Sequence, residues 1–344
     1  MKVFVSAQHI FQVLEMVDEI INTKELTKSF NGTPAVDQVS FKVKEGEMFG
    51  FLGPNGAGKT TTIKMLTTLL HPTSGTASIN DFDIIKDRDN VRKNIGVVFQ
   101  EPALDIELTG KENLDFHARM YALDRAQREK RINEVLDLVD LTEKQDVLVK
   151  NYSGGMKRRL EIARGLMHNP TVLFLDEPTL GLDSQTRRAI WAYIKKMNTE
   201  ADTTIFLTTH YMEEAEYLCD RVAIIDKGKI LVVDTIENLK NKVGQDLITL
   251  TCTKCPSFEK VLKTKDWVTN IQKRESTLRI SVIKGEEKIP LLIDLARSHD
   301  VTISSINLRK PTLDDVFLHY TGREIRDQQA ENPMKRMARM HRRG

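Results

Sequence analysis

Short apolar segments alternate with longer segments of mixed character from residue 21 to about residue 234. Several of these apolar segments span only four or five residues, namely 95–99, 172–175, 205–208 and 222–225. Runs of this length are typical of strands buried on both faces of a parallel sheet, with helices between them. Residues 21–43 and 76–79 favour antiparallel β-structure instead. The pattern predicts an α/β domain with a mainly parallel sheet and an antiparallel β subdomain.

Two further regions depart from this alternation. Residues 105–168 contain charged, helix-like segments such as 111–121 and 124–138, and they predict a helical insertion within the α/β domain. After residue 246 the predicted order is strand 247–252, helix 257–263, strands 267–272 and 278–282, helix 288–298 and strand 301–308. This βαββαβ order is the ferredoxin-like arrangement, so we predict a small α+β accessory domain with a last helix after Pro311.

The predicted organisation therefore has four parts: an N-terminal extension (1–20), the α/β domain (21–234), the accessory domain (235–325) and a basic tail (326–344). We interpret residues 1–15 as a loose appendage or as the result of a misplaced start site, because Met16 could begin translation. The tail carries five Lys or Arg residues and no acid after Pro333. We favour a disordered, solvated tail over one that contacts anionic lipid head groups.

Composition narrows the classes of function. Hydrophobic residues make up 40% and charged residues 29% of the 344 residues, and the net charge is +2. These values are ordinary for a soluble globular chain, and nucleic-acid binding is not expected. The longest apolar runs fall far short of the about 20 residues that a membrane span needs. A role at a membrane would therefore require a partner.

The cysteines favour a reducing compartment. The chain has three of them, Cys219, Cys252 and Cys255, and an odd, low count predicts no disulfide framework. Cys252 and Cys255 have C-x-x-C spacing, but a zinc site needs four ligands and no second pair exists. A metal or redox role for this pair is therefore disfavoured.

A glycine-rich segment between a predicted strand (47–52) and a predicted helix (61–70) carries the strongest chemical signal. It matches the G-x-x-x-x-G-K-[ST] phosphate loop with Gly53, Pro54, Asn55, Gly56, Ala57, Gly58, Lys59 and Thr60. Glycines let backbone N–H groups point at an anion, and the helix start adds partial positive charge. We expect this loop and Thr61 to bind nucleotide phosphates, Lys59 to reach the β- and γ-phosphates, and Thr60 to ligate Mg²⁺. A plain glycine-rich turn would not need the Lys-Thr pair.

A second signal is an apolar strand, 173–175, that ends in Asp176 and Glu177. Ligands of α/β sheets bind at the carboxyl ends of the strands. Asp176 is predicted to hold Mg²⁺, and Glu177 to orient or deprotonate the attacking water. Two merely solvated acids would leave the preceding phosphate loop unexplained.

A third signal lies between these two motifs, where Ser153, Gly154 and Gly155 open a predicted helix that could bind an anion. Taken with the phosphate loop and the acidic strand end, this segment resembles the signature motif of ATP-binding cassette (ABC) ATPases, whose form is Leu-Ser-Gly-Gly-Gln. Tyr152 and Met156 depart from that form, but neither departure affects the serine or the glycines.

The resemblance covers about residues 21–234 and implies roles for further residues. Four positions match family residues near the nucleotide: Phe30 stacks on adenine, Gln100 contacts Mg²⁺ and water, Asp183 spans a dimer, and His210 lies near the γ-phosphate. An ordinary core or surface phenylalanine is the alternative for Phe30, and we favour the stacking role over it. The family also implies that two subunits pair head to tail, with ATP clamped between the phosphate loop of one and Ser153-Gly154-Gly155 of the other.

The C-terminal residues indicate which subfamily of ABC ATPases the chain resembles. Residues 308–318 and 321–323, together with 181–187, resemble drug-export ATPases of the daunorubicin-resistance type. This resemblance implies an ATPase that drives export of a drug-like or other substrate. It would act as a dimer, docked on a separate multi-span membrane permease at the cytoplasmic face of the membrane. The alternative is a soluble ABC ATPase that acts on ribosomes or DNA, which the single phosphate loop and the ordinary length of the insertion disfavour. A P-loop kinase would not need the Ser-Gly-Gly segment.

Overall fold

The computed structural model describes residues 19–322 apart from 202, 245, 254, 275 and 276. These residues form two compact units that divide between Thr235 and Ile236. The first unit contains two sheets and the second contains one, and each unit has its own hydrophobic core. The predictions for residues 1–18 and for the basic tail lie outside the described residues.

A six-stranded sheet forms the centre of the first unit. Its strands are β3 (Met48–Leu52), β6 (Ile95–Val98), β7 (Val172–Asp176), β8 (Thr204–Thr209), β9 (Arg221–Asp226) and β10 (Lys229–Thr235). They lie in the order β10-β9-β3-β8-β7-β6, and all neighbours are parallel except β9 and β10. Strands β3, β7 and β8 are buried along their whole length, which accounts for their continuous apolar sequences. The carboxyl ends of the parallel strands therefore share one edge of the sheet.

A second, antiparallel sheet packs on the first. Its strands are β1 (Glu19–Phe30), β2 (Thr33–Lys44), β4 (Ser74–Ile79) and β5 (Phe82–Asp83), in the order β2-β1-β4-β5. The ring of Phe41 on β2 lies 5.5 to 5.7 Å, centroid to centroid, from Phe49, Phe51 and Phe206 of the central sheet. Such aromatic pairs contribute about 0.5–1.5 kcal/mol each beyond their burial. The predicted antiparallel β subdomain is thus confirmed, and an aromatic cluster joins it to the central sheet.

The helices of this unit are α1 (Lys59–Leu66), α2 (Arg88–Asn94), α3 (Gly110–Met120), α4 (Arg125–Leu138), α5 (Gly154–Gly165), α6 (Ser184–Ala201) and α7 (Met212–Leu218), with 3₁₀ turns at Thr142–Lys144 and Val149–Asn151. Helix α1 ends at Leu66, so the prediction that it extends to residue 70 is wrong. Thr68 adopts a left-handed φ of 63°. Arg88 and Arg92 donate hydrogen bonds to the carbonyl and hydroxyl oxygens of Thr68, which holds the chain in this turn.

Helices α3, α4 and α5 form the helical insertion that the sequence predicted over residues 105–168. Two of them begin with a capping box, formed by Thr109 and Glu112 for α3 and by Asp124 and Gln127 for α4. An N-cap of this kind contributes about 1 kcal/mol to helix stability. Local capping therefore compensates for the weak apolar periodicity of this charged segment.

His117 makes the stability of this insertion sensitive to pH. Burial, followed by the charges of Arg164 and His168, lowers the pKa of His117 from 6.5 to about 4. Between these two pH values the unfolded chain binds more protons at His117 than the folded chain, so stability falls as the pH drops through this window. In a His117→Phe variant, which keeps a ring beside Tyr121, we expect the urea midpoint to shift less between near-neutral pH and pH 5 than in the wild type. Equal shifts in the two proteins would contradict this assignment.

The second unit has the ferredoxin-like order. Its elements are α8 (Ile236–Val243), β11 (Asp246–Cys252), α9 (Cys255–Leu262), β12 (Val268–Arg274), β13 (Thr277–Val282), α10 (Gly285–Ser298), β14 (Ile303–Arg309) and α11 (Leu313–Thr321). The strands lie in the order β12-β13-β11-β14, and every neighbouring pair is antiparallel. Alternate residues of β11 and β13, such as Ile248, Leu250 and Ile280, are fully buried. The predicted βαββαβ domain is therefore confirmed.

One local cysteine pair lies in this second unit. Cys252 ends β11 and Cys255 begins α9, and the two are joined as a disulfide with their Cα atoms 5.7 Å apart. Cys219 of the first unit is free and buried. The cysteine count predicted no disulfide framework, and the described residues contain this single short-range link. Both of its cysteines are buried in the core of the unit.

Candidate nucleotide-binding site

The loop between β3 and α1 has a backbone that requires glycine. Gly56 and Gly58 have φ angles of 79° and 110°, in the region that side chains other than hydrogen disfavour. A Cβ atom at Gly58 would lie 2.6 Å from the carbonyl oxygen of Ala35, and one at Gly53 would lie 2.3 Å from that of Ile225. The tight turn of the predicted phosphate loop is therefore present and sterically defined.

The start of α1 is suited to an anion. Gly58 occupies the N-cap position, no side chain caps the helix, and the first turn holds no acidic residue. The first N–H groups of a helix and its dipole attract negative charge. Thr60 and Thr61 are partly exposed at this end. Backbone donors, helix dipole and hydroxyl groups thus converge where the sequence predicted phosphates.

Lys59 is buried, and its ammonium group is already engaged. Its Nζ donates to the carbonyl oxygens of Gly53 at 2.7 Å and Pro54 at 3.2 Å, and it lies 3.1 Å from Oε1 of Glu177. Burial lowers the pKa of Lys59 below its usual value, although the Glu177 and Asp176 carboxylates favour the charged form. A phosphate would therefore compete with Glu177 for this cation.

Glu177 lies between two cationic or protonatable groups. Its Oε1 faces Lys59 and its Oε2 lies 3.2 Å from Nδ1 of His210. Burial by itself raises the pKa of Glu177, but the His210 hydrogen bond and the Lys59 charge outweigh burial, so the pKa is below its usual range. Its φ of 49° is left-handed, a strained conformation that recurs at functional sites. Glu177 is thus a carboxylate at neutral pH, held at the edge of the sheet.

Asp176 offers an oxygen that suits a metal ion. The residue is 1% exposed, and its Oδ1 accepts a hydrogen bond from the Thr208 hydroxyl. Its Oδ2 is buried and has no hydrogen-bond partner among the described residues. A buried carboxylate oxygen normally has a partner, and Mg²⁺ in nucleotide sites takes one or two carboxylates together with phosphate oxygens. The donor set of Asp176 and Thr60 therefore fits Mg²⁺.

Thr208 and Arg158 contribute to this site, and sequence reasoning missed both. Thr208 accepts hydrogen bonds from the backbone N–H of Glu177 through its carbonyl oxygen at 3.0 Å and its hydroxyl at 3.1 Å. Arg158 donates to the carbonyl oxygens of Asp176, Glu177, Phe99 and Pro178. For Arg158, the only signal in the sequence is a charged residue at a position of a predicted helix that should face the protein interior. Arg158 thus links helix α5 to the segments that follow β6 and β7.

Phe30 and Gln100 are both exposed. The Phe30 ring is 48% exposed at the end of β1, and the Lys28 ammonium group lies 5.4 Å from its centroid. An exposed ring of this size is available for stacking on a planar ligand. Gln100 is exposed and follows β6, whose carboxyl end lies beside that of β7. The parallel arrangement brings Gln100 to the edge that carries Asp176.

Ser153 and Asp183 begin two other helices. Ser153 is the N-cap of α5, where its hydroxyl accepts from the N–H of Met156, and Ser153 and Gly154 are both exposed. Asp183 accepts hydrogen bonds from the N–H and hydroxyl groups of Thr186 at the start of α6. The structure therefore unites Lys59, Asp176, Glu177 and His210 in one cluster, while Ser153, Gly154, Gly155 and Asp183 lie at other exposed helix starts.

Two family models match the chain, one for each unit. The model described as "ABC transporter" matches residues 36–180. The model described as "ATP-binding protein DrrA1-3-like, C-terminal domain" matches residues 235–321. The two matches follow each other along the chain in the same order as the two units.

Curated relatives match over almost their whole length. The linearmycin resistance ATP-binding protein LnrL of Bacillus subtilis is 38% identical over 90% of this chain and 100% of the relative. The daunorubicin/doxorubicin resistance ATP-binding protein DrrA of Streptomyces peucetius is 39% identical over 90% of this chain and 95% of that protein. Both alignments therefore extend over residues of both units of this chain.

Solved structures support the fold of the first unit. The ATP-binding cassette MJ0796, in a dimeric post-hydrolysis state bound to ADP and Pi, matches with a TM-score of 0.57 at 30% identity, over 62% of this chain and 98% of that one. The cbiO1 protein of Clostridium perfringens, part of the ABC transporter complex cbiONQ, matches with a TM-score of 0.62 at 27% identity, over 72% of this chain and 96% of that one.

The sheet, the glycine loop and the acidic strand end define a P-loop ATPase of the ATP-binding cassette class. With relatives of 38–39% identity along its length, the chain belongs to the ATP-binding proteins of ABC transporters, in the daunorubicin-resistance type subfamily. It binds and hydrolyses ATP, and subunits of this family dimerise and work with membrane permeases. Among the described residues, no helix combines the length and hydrophobicity needed to cross a membrane.

Proposed function

We propose that two copies of this chain dimerise and drive export of a drug-like substrate through a separate multi-span permease, at the cytoplasmic face of the membrane. The observation that carries this proposal is the position of the Glu177 carboxylate between Lys59, the last-but-one residue of the phosphate loop, and His210. The names of the relatives, which refer to resistance to linearmycin and to daunorubicin, support a drug-type substrate. The alternative, a soluble ABC ATPase on ribosomes or DNA, has no comparable support from the chain.

We assign ATP binding to the phosphate loop and its surroundings. The N–H groups from Gly53 to Thr61 would surround the β- and γ-phosphates. The exposed Phe30 ring would stack on adenine. Lys59 would leave Glu177 and move to the phosphates, since a multiply charged anion attracts an ammonium group more strongly than one carboxylate does.

Magnesium, held by Asp176, Thr60 and Gln100, would neutralise charge on the phosphates. Glu177 acts as the base. Water attacks the γ-phosphorus, the bond from that phosphorus to the bridging oxygen breaks, and the proton of the water passes to Glu177 as ADP leaves. The hydrogen bond with His210, the largest of the interactions that lower the pKa of Glu177, would remain after Lys59 has moved and would favour the ionised form. His210 would hold the carboxylate in place and donate toward the γ-phosphate.

We assign the dimer contact to the exposed helix starts. Ser153, Gly154 and Gly155 at the start of α5 would complete the nucleotide site of the second copy, where the helix N-terminus meets the γ-phosphate. Asp183 would lie between the two subunits. The exposure of Ser153, Gly154 and Asp183 in the single chain supports this assignment, because a buried segment could not reach a partner.

A pull-down from native cells tests the proposal that this chain works with a membrane permease. A tagged Glu177→Gln chain is extracted in mild detergent with ATP and Mg²⁺, and its partners are identified by mass spectrometry. We expect a stoichiometric multi-span membrane protein. Reconstituted with that protein in lipid vesicles, the wild-type chain should hydrolyse ATP faster than it does alone. Recovery of ribosomal proteins or DNA-bound factors instead would overturn the proposal.

A further inference from the structure

Glu214 is a buried carboxyl group that the proposed chemistry does not use. It lies on helix α7 and is fully buried. Its Oε1 accepts hydrogen bonds from the Thr179 hydroxyl at 2.7 Å and from the indole N–H of Trp191 at 2.9 Å. Both donors are themselves buried, at 0% and 7% exposure. A single oxygen atom therefore joins side chains from three separate segments of the chain.

Two of these three segments carry the proposed catalytic groups, Glu177 and His210. Thr179 follows Glu177 by two residues, and Glu214 follows His210 by four, with His210 just before the start of α7. Trp191 belongs to α6, which begins after Asp183. The gap between Oε2 of Glu177 and Nδ1 of His210 is 3.2 Å. The Glu214 contacts thus tie together the segments that set this gap.

Loss of a hydrogen bond to Glu214 should be costly, because the carboxyl group is fully buried and water cannot take the place of the lost partner. Burial raises the pKa of Glu214 above its usual value, against the hydrogen bonds from Thr209, Thr179 and Trp191, which lower it. If the carboxyl group were removed, three buried side chains, Thr179, Trp191 and Thr209, would lose a hydrogen-bond partner. The local structure would then shift to find others. A shift of 1 Å at a catalytic group can lower a rate by about 100-fold.

We propose that Glu214 is a positioning residue that holds Glu177 and His210 at their mutual distance through Thr179 and Trp191. The inference rests on the proposed roles of Glu177 and His210. It differs from a purely structural role in one respect: loss of the contact should lower kcat in folded protein, without a matching loss of ATP affinity.

Thr179 allows the cleanest test, since valine has nearly the shape of threonine but no hydroxyl. In Thr179→Val we expect kcat to fall by about tenfold or more, with the Kd for ATP unchanged. Thr179→Ser, which keeps the donor, should stay within about threefold of the wild type. A Thr179→Val protein that is folded and has wild-type kcat would overturn the proposal, as would equal losses in the Val and Ser variants.

Glu214 itself is tested with a matched control on the same helix. Glu214→Met should lower kcat, whereas Glu214→Gln, which keeps an acceptor oxygen, should restore most of it. Glu213→Met, at an exposed position of α7, should have no effect. The chain has two tryptophans, so a Trp267→Phe background leaves Trp191 as the only indole. Its emission should shift in Glu214→Met and stay unchanged in Glu213→Met.

The outcome can be separated from failure of the proposed mechanism. If Glu177→Gln retains turnover, the roles assigned to Glu177 and His210 are wrong. If Glu177→Gln is inactive while Glu214→Met has full kcat and a shifted Trp191 emission, the positioning role alone is refuted.

Discussion

A Glu177→Gln protein should bind ATP and fail to turn it over. The amide keeps the size of the side chain but cannot take the proton of the attacking water, and loss of a general base lowers kcat by roughly 10²- to 10⁴-fold. ATP affinity should be unchanged or higher, because Lys59, now 3.1 Å from Oε1 of Glu177, no longer has a carboxylate competing with the phosphates.

Phosphate release under saturating ATP and Mg²⁺ measures the first effect, and calorimetric titration with ATP the second. Size-exclusion chromatography with ATP should show the variant as a dimer, since binding closes the site and hydrolysis cannot reopen it. Glu213→Gln removes the same charge from an exposed position and should behave as the wild type. Substantial turnover by purified Glu177→Gln protein would refute the assignment of Glu177 as the base.

An Arg158→Met protein should be among the least stable single variants of the chain. The guanidinium group is buried, and its Nη1 lies 3.0 Å from Oε2 of Glu161, which is also buried. Removal of Arg158 leaves that carboxylate without its counter-charge, and breaking a buried pair in this way costs about 3–5 kcal/mol. Four backbone carbonyl oxygens, those of Phe99, Asp176, Glu177 and Pro178, lose a donor at the same time.

Urea unfolding at neutral pH measures this cost. The Arg158→Met, Glu161→Met double variant should regain part of the loss, because it no longer buries an isolated charge. Arg125→Met provides the control: Arg125 pairs with Glu129 on the surface, with side-chain exposures of 86% and 62%, and such a pair contributes about 1 kcal/mol or less. Equal urea midpoints for Arg158→Met and Arg125→Met would show that the buried Arg158–Glu161 pair contributes no more to stability than the exposed Arg125–Glu129 pair.

Much of the fold was predictable because the relevant signals are local. The apolar runs at 172–175 and 205–208 correspond to β7 and β8, which are buried throughout. The order of elements after residue 246 was predicted within a few residues at each end. The C-terminal end of α1 was not, because Arg88 and Arg92 hold Thr68 in its turn from more than 19 residues away.

The residues of the candidate site likewise fall into a group that the sequence predicts and a group that it does not. Asp176 ends its strand, and Lys59, Glu177 and His210 follow theirs at recognisable spacings, so their convergence at one edge follows from parallel pairing. Thr208, Arg158 and Glu214 have no such spacing. Arg158 reaches the carbonyl oxygens of Phe99 and Pro178, and a bond to a backbone carbonyl leaves no trace in the identity of the residue that accepts it.

The amino-acid sequence alone is sufficient to establish the phosphate loop, the acidic strand end and the class of fold, because glycine, lysine and acid at set positions act through local backbone geometry and charge. Three-dimensional packing was needed to show that Lys59 is held by Glu177, that Asp176 keeps a buried oxygen without a partner among the described residues, and that Glu214 joins three segments. These features depend on side chains that are 23 or more residues apart in sequence or on burial, and neither is encoded in a local pattern.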